Sequence, residues 1–292
     1  TATSGGNGTI TPASQTVAFD GTASFTVTPA TGYHVVSVAG DTCTVTGSGT
    51  SYSAANIQAN CAVTATFAIN QYTVTFLDWD ATVLKTEQVD HGGAATAPTD
   101  PSRTGYTFAG WDVAFSNVTA DLTVTAQYTI NQYTVTFVDW DATVLKTEQV
   151  NHGGAATAPA DPSRTGYTFS GWDVAFSNVT ADLTVTAQYT IDEFTVTASS
   201  GGNGTITPAS QSVAYGGTAS FTVTPATGYH VVSVAGDTCT VTGSGTSYSA
   251  ANIQANCAVT ATFAIDEFTV TATSGGNGTI TPASQSVAYG GT

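Results

Sequence analysis

The chain has 292 residues, of which 4 are Lys or Arg and 20 are Asp or Glu, for a formal net charge of −16. So few cations exclude the basic stripe that binding to a nucleic acid or an anionic membrane surface requires. Hydrophobic residues make up 41 % of the chain, enough to build cores, and no apolar run reaches the roughly 18 to 20 residues of a membrane-spanning helix.

Internal repeats organise the sequence. Residues 72–132 recur as residues 133–193 with six differences, which defines a B repeat. The segment that begins at Thr1 recurs from Thr197, and its opening returns from Thr271, which defines an A repeat. The predicted order is A, B, B, A and part of a third A, with boundaries at 1–71, 72–132, 133–193, 194–267 and 268–292.

Both ends of the sequence fall inside an A repeat. Thr1 corresponds to Thr197, so the first A repeat begins three residues inside the unit that opens with Phe194–Val196, and Thr292 lies within the third. We expect the chain to be a window from a longer array. The alternative is that the incomplete third A repeat donates its strands to the incomplete first A repeat of a neighbouring copy.

Alternation of apolar residues with Thr, which is typical of half-buried strands, runs through both kinds of repeat. It is clear at Phe25–Val27 and Val63–Ile69 in the A repeat, and at Tyr72–Phe76 and Leu122–Ile130 in the B repeat. No helical period is present, and the two prolines of residues 94–103 predict at most a short turn or an irregular crossover. The predicted fold class is all-β, a tandem array of small modules.

The alternation changes phase where one repeat meets the next. Ile130 ends one apolar series and Tyr133 begins the next, so Asn131 and Gln132 form a predicted two-residue joint. The joints contain neither Gly nor Pro and leave less freedom than a Gly/Ser linker. The sequence therefore predicts an elongated, stiff rod of modules.

Each of the first two A repeats contains two cysteines, and the B repeats contain none. Cys43 shares a strand face with Val45, and Cys61 is in phase with Val63. This arrangement favours a disulfide within the repeat and an oxidising, extracellular location; a buried free thiol pair and a zinc site without a convergent His are the alternatives. The residues concerned are Cys43, Cys61, Cys239 and Cys257.

Short motifs connect both repeats to a known family. The B repeat contains His-Gly-Gly (91–93), Gly-Tyr-Thr-Phe-Ala-Gly-Trp (105–111) and Asn-Val-Thr-Ala-Asp (117–121), and it resembles the Listeria-Bacteroides repeat, also called the internalin B-type B repeat. The A repeat is similar to the divergent form, through Gly-Asn-Gly-Thr-Ile-Thr-Pro (6–12) and Cys-Ala-Val-Thr-Ala-Thr-Phe (61–67). The resemblance implies compact β-grasp-like or β-sandwich modules in large secreted or surface-attached bacterial proteins. It also implies a role as stalk, spacer or adhesin part, with no catalytic residues.

An acidic, aromatic segment occurs once in each B repeat. Two carboxylates on one face of a strand or turn could bind calcium, and the alternative is a solvated acidic turn. The tryptophan between them is predicted to be exposed and is the first place to look for a bound carbohydrate, whereas Trp111 and Trp172 are predicted core anchors. The candidate calcium ligands are Asp78, Asp80, Asp139 and Asp141, and the candidate ligand-binding residues are Trp79 and Trp140.

The histidines and lysines do not form a recognisable metal-binding or cross-linking motif. His34, His91, His152 and His230 have no metal-ligand spacing and are predicted to be solvated or core residues. Lys85 and Lys146 are the only lysines, and a surface ion pair is favoured over an isopeptide bond to an asparagine.

These features together predict a structural protein and not an enzyme, because identical tandem copies do not form one shaped cleft. We expect a stalk or fibre segment of a long extracellular bacterial protein, with self-assembly into a filament as an extension and an adhesin as the alternative. The expected partners are neighbouring repeats and identical chains, with no nucleic acid, no membrane insertion and no cofactor other than calcium.

Overall fold

The computed structural model describes all 292 residues, and it is all-β, with 25 strands and no helix, as the alternation predicts. None of its elements is therefore a helix that could cross a bilayer. The chain divides into two compact units, Thr1–Gln132 with Asn151–Gly153, and Tyr133–Val150 with Gly154–Thr292.

The first A repeat folds into two sheets that share one core. Val27, Val63 and Ala65 lie at its centre, none more than 2 % exposed. One sheet has the strand order β1-β7-β4, and the other, which is antiparallel throughout, has the order β2-β3-β6-β5. The strands are β1 (Ala2–Ser4), β2 (Gly8–Thr11), β3 (Gly21–Pro29), β4 (Tyr33–Gly40), β5 (Val45–Ser48), β6 (Ser51–Ile57) and β7 (Val63–Ile69).

The first B repeat folds into a single mixed sheet. Its strands are β8 (Gln71–Leu77), β9 (Val83–Asp90), β10 (Tyr106–Trp111) and β11 (Leu122–Ile130), in the order β10-β11-β8-β9. Segment 94–103 contains no helix, as its prolines predict. Instead Ala95 and Val118, from irregular segments, pack with Val74 and Phe76 of β8 and so close the core without a second sheet.

The second unit repeats both architectures. Its B sheet has the order β13-β12-β15-β14, and its A repeat has sheets of order β18-β16-β23-β20 and β17-β19-β22-β21. The chain ends with a separate two-stranded sheet, β24-β25. The strands are β12 (Gln132–Val138), β13 (Val144–Asn151), β14 (Tyr167–Trp172), β15 (Leu183–Ile191), β16 (Glu193–Ser200), β17 (Gly204–Thr207), β18 (Ser210–Ala214), β19 (Ala219–Pro225), β20 (Tyr229–Gly236), β21 (Val241–Ser244), β22 (Ser247–Ala250), β23 (Cys257–Ile265), β24 (Glu267–Thr271) and β25 (Ser284–Ala288).

The first and last strands of each of the four long repeats are neighbours and run parallel: β1 with β7, β8 with β11, β12 with β15, and β16 with β23. Because the two strands point the same way, the chain enters a repeat at one end of this pair and leaves at the other. The next repeat therefore starts where the previous one finishes, without a connection that returns across the module.

Candidate functional site at the joints between repeats

The joints between repeats are shorter than the sequence indicates. The structure corrects the predicted two-residue joint, because Gln71 is already the first residue of β8 and pairs with Asp90. A single residue, Asn70, separates β7 from β8. The residues that separate consecutive strands in the same way are Asn70, Asn131, Asp192 and Asp266.

Both backbone groups of Asn70 are hydrogen-bonded, one to each side of the joint. Its N–H donates to the carbonyl oxygen of Gly32 in the A repeat, at 2.7 Å, and its carbonyl oxygen accepts from the N–H of His91 in the B repeat, at 2.8 Å. Gly32 precedes β4, and His91 follows β9. We call this arrangement the joint clasp. In it, the backbone of a single joint residue is hydrogen-bonded to a turn glycine of the preceding repeat and to a His or Tyr of the following repeat.

The side chain of the joint residue adds a third bond. Asn70 Oδ1 lies 2.9 Å from His34 Nδ1, so this imidazole, predicted to be merely solvated or buried, anchors the joint. In the second unit, His230 bonds Asp266 Oδ1 at 2.8 Å. After a B repeat the hydroxyl of Thr168 takes this role and donates to Asp192 Oδ1 at 2.7 Å.

An aromatic ring packs directly on the clasp glycine. Gly32 has φ +82°, and a Cβ built on it would lie 2.1 Å from Cδ2 of His91. A side chain at this position would therefore meet both the cost of positive φ and a clash with the ring. On its other side His91 contacts the ring of Tyr72, with centroids 5.9 Å apart, and its Nδ1 is buried without a hydrogen-bond partner.

The clasp recurs with either kind of repeat. The N–H of Asp192 donates to the carbonyl oxygen of Gly166 at 2.9 Å, and the carbonyl oxygen of Asp192 accepts from the N–H of Tyr215 at 2.8 Å. The backbone of Asp266 makes the same two bonds, to Gly228 at 2.8 Å and from Tyr289 at 2.7 Å. The tyrosine rings replace His91 over these glycines, each 2.2 Å from the position of an added Cβ. Within the first unit the clasp is also made by Gly105, Asn131 and His152.

The cysteines form the disulfides Cys43–Cys61 and Cys239–Cys257, and none is free. The Cα atoms are 5.8 and 5.9 Å apart, inside the usual range for the bond. Each bridge lies against a glycine, since a Cβ on Gly40 would approach Cys43 Sγ to 2.5 Å.

The candidate calcium ligands lie in the turn between β8 and β9, where they organise the backbone. Asp78 Oδ1 accepts from Trp79 N–H at 2.8 Å and from the hydroxyl of Tyr128 at 2.7 Å, and Asp80 Oδ1 accepts from Thr82 N–H at 3.0 Å. No group of three or more His, Cys, Asp or Glu side chains is close enough together to hold a metal ion. The second B repeat places Asp139 and Asp141 identically.

This turn shifts two pKa values. Burial and the hydrogen bond to the Asp78 carboxylate raise the pKa of Tyr128 to about 12. The backbone N–H of Thr82 stabilises the charged form of Asp80 and lowers the pKa of that carboxyl. Burial and the hydrogen bond to Asp139 likewise raise the pKa of Tyr189 to about 12, and the hydrogen bonds from Thr143 lower the pKa of the Asp141 carboxyl.

Trp79 is 52 % exposed, and a guanidinium covers part of its ring. The Cζ atom of Arg103 lies over both rings, 4.1 Å from the Trp79 ring centroid and 3.7 Å from that of Tyr106, so the cation contacts two aromatic rings. Trp140, Arg164 and Tyr167 form the same stack. By contrast Trp111 packs edge-on against Phe76, with centroids 5.0 Å apart, as a core residue.

The lysines make ion pairs. Lys85 Nζ lies 2.9 Å from Glu87 Oε2 and donates to the carbonyl oxygen of Thr96, while the other carboxylate oxygen accepts from Thr96 N–H. The lysine and the Thr96 N–H together lower the pKa of Glu87. The pair thereby attaches segment 94–103 to β9, and Lys146 with Glu148 does the same in the second B repeat.

Comparison with known families identifies the repeats. The family described as the Divergent InlB B-repeat domain matches residues 1–71 and 194–267, and the Listeria-Bacteroides repeat domain matches residues 72–132 and 133–199. The chain belongs to these two internalin-type repeat families. The match agrees with the resemblance inferred from the sequence motifs of both repeats.

Curated relatives share part of these internalin-type repeats. Internalin H of Listeria monocytogenes is 42 % identical over 86 residues, 26 % of this chain and 15 % of that protein. A protein of Evansella cellulosilytica named as a Gly-rich membrane protein is 27 % identical over 158 residues, 47 % of this chain and 18 % of its own. A second Evansella membrane protein is 27 % identical over 160 residues, 48 % of this chain, which spans only 24 % of its length.

Among solved structures, the Bacillus anthracis TIE protein matches at a TM-score of 0.27 and 11 % identity, over 82 % of this chain and 59 % of that one. So distant a likeness carries no argument about this chain.

Sequence reasoning missed the joint clasp. Each clasp combines a turn glycine and a ring from different repeats, such as Gly32 and His91, and alternation within one strand contains no information about that pairing. The usable signal was the recurrence of a His or Tyr directly after the strand that pairs with the first strand of every following repeat, at positions 91, 152, 215 and 289.

Proposed function

We propose that this chain is a stiff spacer segment of a bacterial surface protein, which holds other parts of that protein at a fixed distance and orientation. The observation that carries the proposal is the joint clasp. At Asn70 one residue connects two modules, and its N–H, its carbonyl oxygen and its side chain are all bonded.

Bending at such a joint has a structural cost. Rotation about the backbone of Asn70 would break the bonds to Gly32 and His91 and separate the imidazole ring from the glycine beneath it. Each such hydrogen bond contributes a net stabilisation of about 0.5–1.5 kcal/mol. A Gly/Ser linker makes no such contacts and bends freely.

An extracellular location fits the same role. Disulfides persist in oxidising compartments, and the first and second A repeats each contain one. The relatives include internalin H and two proteins named as membrane proteins. The net charge of −16 supports solubility of an array with many similar modules.

The spacer function is tested by measuring distances across one joint. Spin labels on cysteines that replace Val36 and Val83, both 59 % exposed, would report the separation of the first A and first B repeats, because all native cysteines are in disulfides. We expect a narrow distance distribution. Insertion of Gly-Ser-Gly-Ser between Asn70 and Gln71 should broaden it, whereas the same insertion between Gly49 and Thr50, in the turn from β5 to β6, should not. An unmodified chain as broad as the joint-insertion variant would refute the spacer function.

A point substitution tests the joint clasp without changing the length of the chain at the joint. Gly32→Ala adds a methyl group against His91, and we expect it to broaden the distance distribution. Gly6→Ala is the matched control, because Gly6 has a similar φ of +92° but no atom within 4 Å of an added Cβ. Equal effects of the two substitutions would show that the ring contact does not hold the joint.

A second candidate function is adhesion through the exposed face of Trp79. Exposed tryptophan is a common platform for binding partners with apolar faces, and Arg103 fixes the ring in place. On this hypothesis, binding to a glycan array is lost in a Trp79→Ala, Trp140→Ala variant. It is retained in a Val83→Ala, Val144→Ala control, whose substitutions remove equally exposed apolar side chains beside the same turns. Glycan binding unaffected by the tryptophan changes would contradict the adhesin function.

A further inference from the structure

The parallel pair formed by the first and last strands of a repeat lies in the path of any tension along the chain. In the first B repeat the chain enters through β8 and leaves from β11, and these two strands are neighbours in the sheet. A pull on the two ends of the repeat therefore draws β8 and β11 in opposite directions along their common axis. This loads the pair in shear, so that its hydrogen bonds bear the force together and not one after another.

The register of the pair shows how much backbone resists this sliding. Residues 74–77 of β8 pair with residues 122–125 of β11, and the second B repeat has the same register. In the second A repeat, residues 196–200 of β16 pair with residues 257–261 of β23. The hydrogen bonds of a parallel pair are evenly spaced. The load is therefore shared along the whole paired length.

Both strands of the pair lie inside the sheet and not at its edge. The B sheet has the order β10-β11-β8-β9, so its two halves, β10 with β11 and β8 with β9, are joined only by this pair. The core side chains of the pair, Val74, Phe76 and Val124, are fully buried. Sliding of β8 past β11 would therefore break the backbone bonds and pull apolar side chains out of the core in the same step.

A side chain lengthens the pair at the end where β8 enters. Asp121 lies directly before β11, and its Oδ1 accepts a hydrogen bond from the backbone N–H of Thr73 at 2.8 Å. Thr73 precedes Val74, the first residue of β8 that pairs with β11. The carboxylate therefore adds one bond to the pair beyond its backbone register.

The same bond occurs in the other repeats that have this central pair. In the second B repeat, Asp182 accepts from the N–H of Thr134 at 2.8 Å, and in the second A repeat, Asn256 accepts from the N–H of Thr195 at 2.9 Å. Asp182 and Asn256 also lie directly before the last strand of their repeats. The A and B repeats thus reinforce the same end of the pair with different residues.

We propose that the two B repeats and the second A repeat are load-bearing modules, in which the parallel pair resists stretching of the chain and Asp121, Asp182 and Asn256 strengthen that pair. Resistance to stretching is a separate property from the resistance to bending that the joint clasps provide. The proposal rests on the spacer function for the source of the tension, because a segment that connects parts of a surface protein is stretched when those parts are pulled apart.

Optical tweezers with handles on introduced cysteines test the shear geometry, since all native cysteines are in disulfides. In the full chain, Gln71→Cys with Thr129→Cys places handles at opposite ends of the pair and loads it in shear. Gln71→Cys with Ala120→Cys places both handles at the same end, so that the bonds break one at a time. All three positions are exposed. We expect a several-fold higher unfolding force for the first pair of handles, and equal forces would overturn the proposal.

The role of Asp121 is tested with the handles in the shear geometry. Asp121→Ala should lower the unfolding force. Asp112→Ala is the matched control, because Asp112 accepts the same kind of bond from the N–H of Thr125 at 2.7 Å, but on the side of β11 that faces β10. Forced unfolding depends on the barrier to leaving the folded state, so two variants of similar thermal stability should differ in force. An equal loss of force in both would contradict the role of Asp121.

A conservative change at the same position separates the hydrogen bond from folding. Asp121→Asn keeps an oxygen acceptor, as Asn256 does in the A repeat, and should retain the force of the original chain. A loss of force as large as that of Asp121→Ala would count against the proposed bond. The Asp121→Ala variant should also retain the narrow label distance across the Asn70 joint, so that loss of strength and failure of the spacer function are separately visible.

Discussion

The A and B repeats contain the same pair of parallel strands, but they complete the core around this pair differently. In each, the first and last strands lie side by side and parallel, as β16 and β23 or β8 and β11 do. In the A repeat, a second sheet packs on the sheet that contains this pair, and a disulfide cross-links the repeat. The B repeat has neither a second sheet nor a disulfide, and Phe76 lies in its core. Two aromatic side chains contact the Phe76 ring edge-on, with ring centroids 5.0 Å away for Trp111 and 5.2 Å away for Phe115.

The comparison shows that a small module needs one strong constraint in addition to its sheet. Domains of this size bury only about 60 % of the surface that their unfolded chains expose, so they are marginal without extra constraints. A covalent bridge provides the constraint in the A repeat. In the B repeat, an aromatic cluster and the Lys85–Glu87 attachment of segment 94–103 provide it. The chain also contains convenient reporters, because all four tryptophans are in B repeats and all four cysteines are in A repeats.

The largest expected effect comes from removal of the B core. Phe76→Ala together with Phe137→Ala should cost about 3–5 kcal/mol in each B repeat, against a total stability of about 3–9 kcal/mol for a module of this length. We expect the B repeats to unfold or melt far below the original chain when followed by tryptophan fluorescence. Val83→Ala with Val144→Ala, at exposed positions, should leave the melt unchanged. A melt within a few degrees of the original would show that the aromatic cluster does not hold the B repeat.

Loss of a disulfide should affect the A repeat alone. Cys43→Ser with Cys61→Ser removes a bridge across 18 residues, worth about 3 kcal/mol, and we expect the melting temperature of that repeat to fall by more than about 10 °C. Circular dichroism would show the early transition while tryptophan fluorescence stays unchanged. The intact Cys239–Cys257 bridge keeps the second A repeat as an internal reference. A single unshifted transition would contradict the constraint assigned to the bridge.

Much of this comparison could be predicted from the sequence, because it depends on local patterns. The alternation at Val63–Ile69 identified a half-buried strand, and the presence of one cysteine pair in each of the first two A repeats and none in the B repeats predicted the disulfide. The features that could not be predicted combine distant residues. The stacking of Arg103 on Trp79 and the ring of His91 on Gly32 are set by how strands and repeats are arranged, which period-two alternation does not encode.

The two-residue joint was a wrong prediction for a related reason. Gln71 is polar and exposed, so side-chain pattern places it in a connection, yet its backbone pairs with Asp90 as part of β8. Strand membership at such a position is decided by main-chain hydrogen bonds. A prediction made from the side-chain pattern alone therefore assigns polar residues at strand ends to the joint, and the predicted joint is too long.

Alkaline pH should weaken the B repeat selectively. The pKa of Tyr128 is about 12 in the folded state, above the ordinary value of about 10 in the unfolded chain. A group with a raised folded pKa contributes its full stabilisation below the unfolded value, and this is lost as the pH rises through the folded value. The urea midpoint from tryptophan fluorescence should therefore fall between pH 10 and 12. Tyr128→Phe with Tyr189→Phe should remove this slope, and persistence of the slope would assign it to other groups.

The smallest expected effect is that of calcium removal. A calcium site occupied at about 100 times its dissociation constant would add about 2.7 kcal/mol, several degrees in the melt of a module this small. The carboxylates of Asp78 and Asp80 already accept hydrogen bonds from Trp79, Tyr128 and Thr82, so we expect EDTA to leave the B transition unchanged. Asp78→Asn keeps an oxygen acceptor for Tyr128 but loses the charge that calcium requires. If EDTA lowers the transition of the original chain and not that of the Asp78→Asn, Asp139→Asn variant, the turn binds calcium and the B repeat has a third stabilising element that the A repeat lacks.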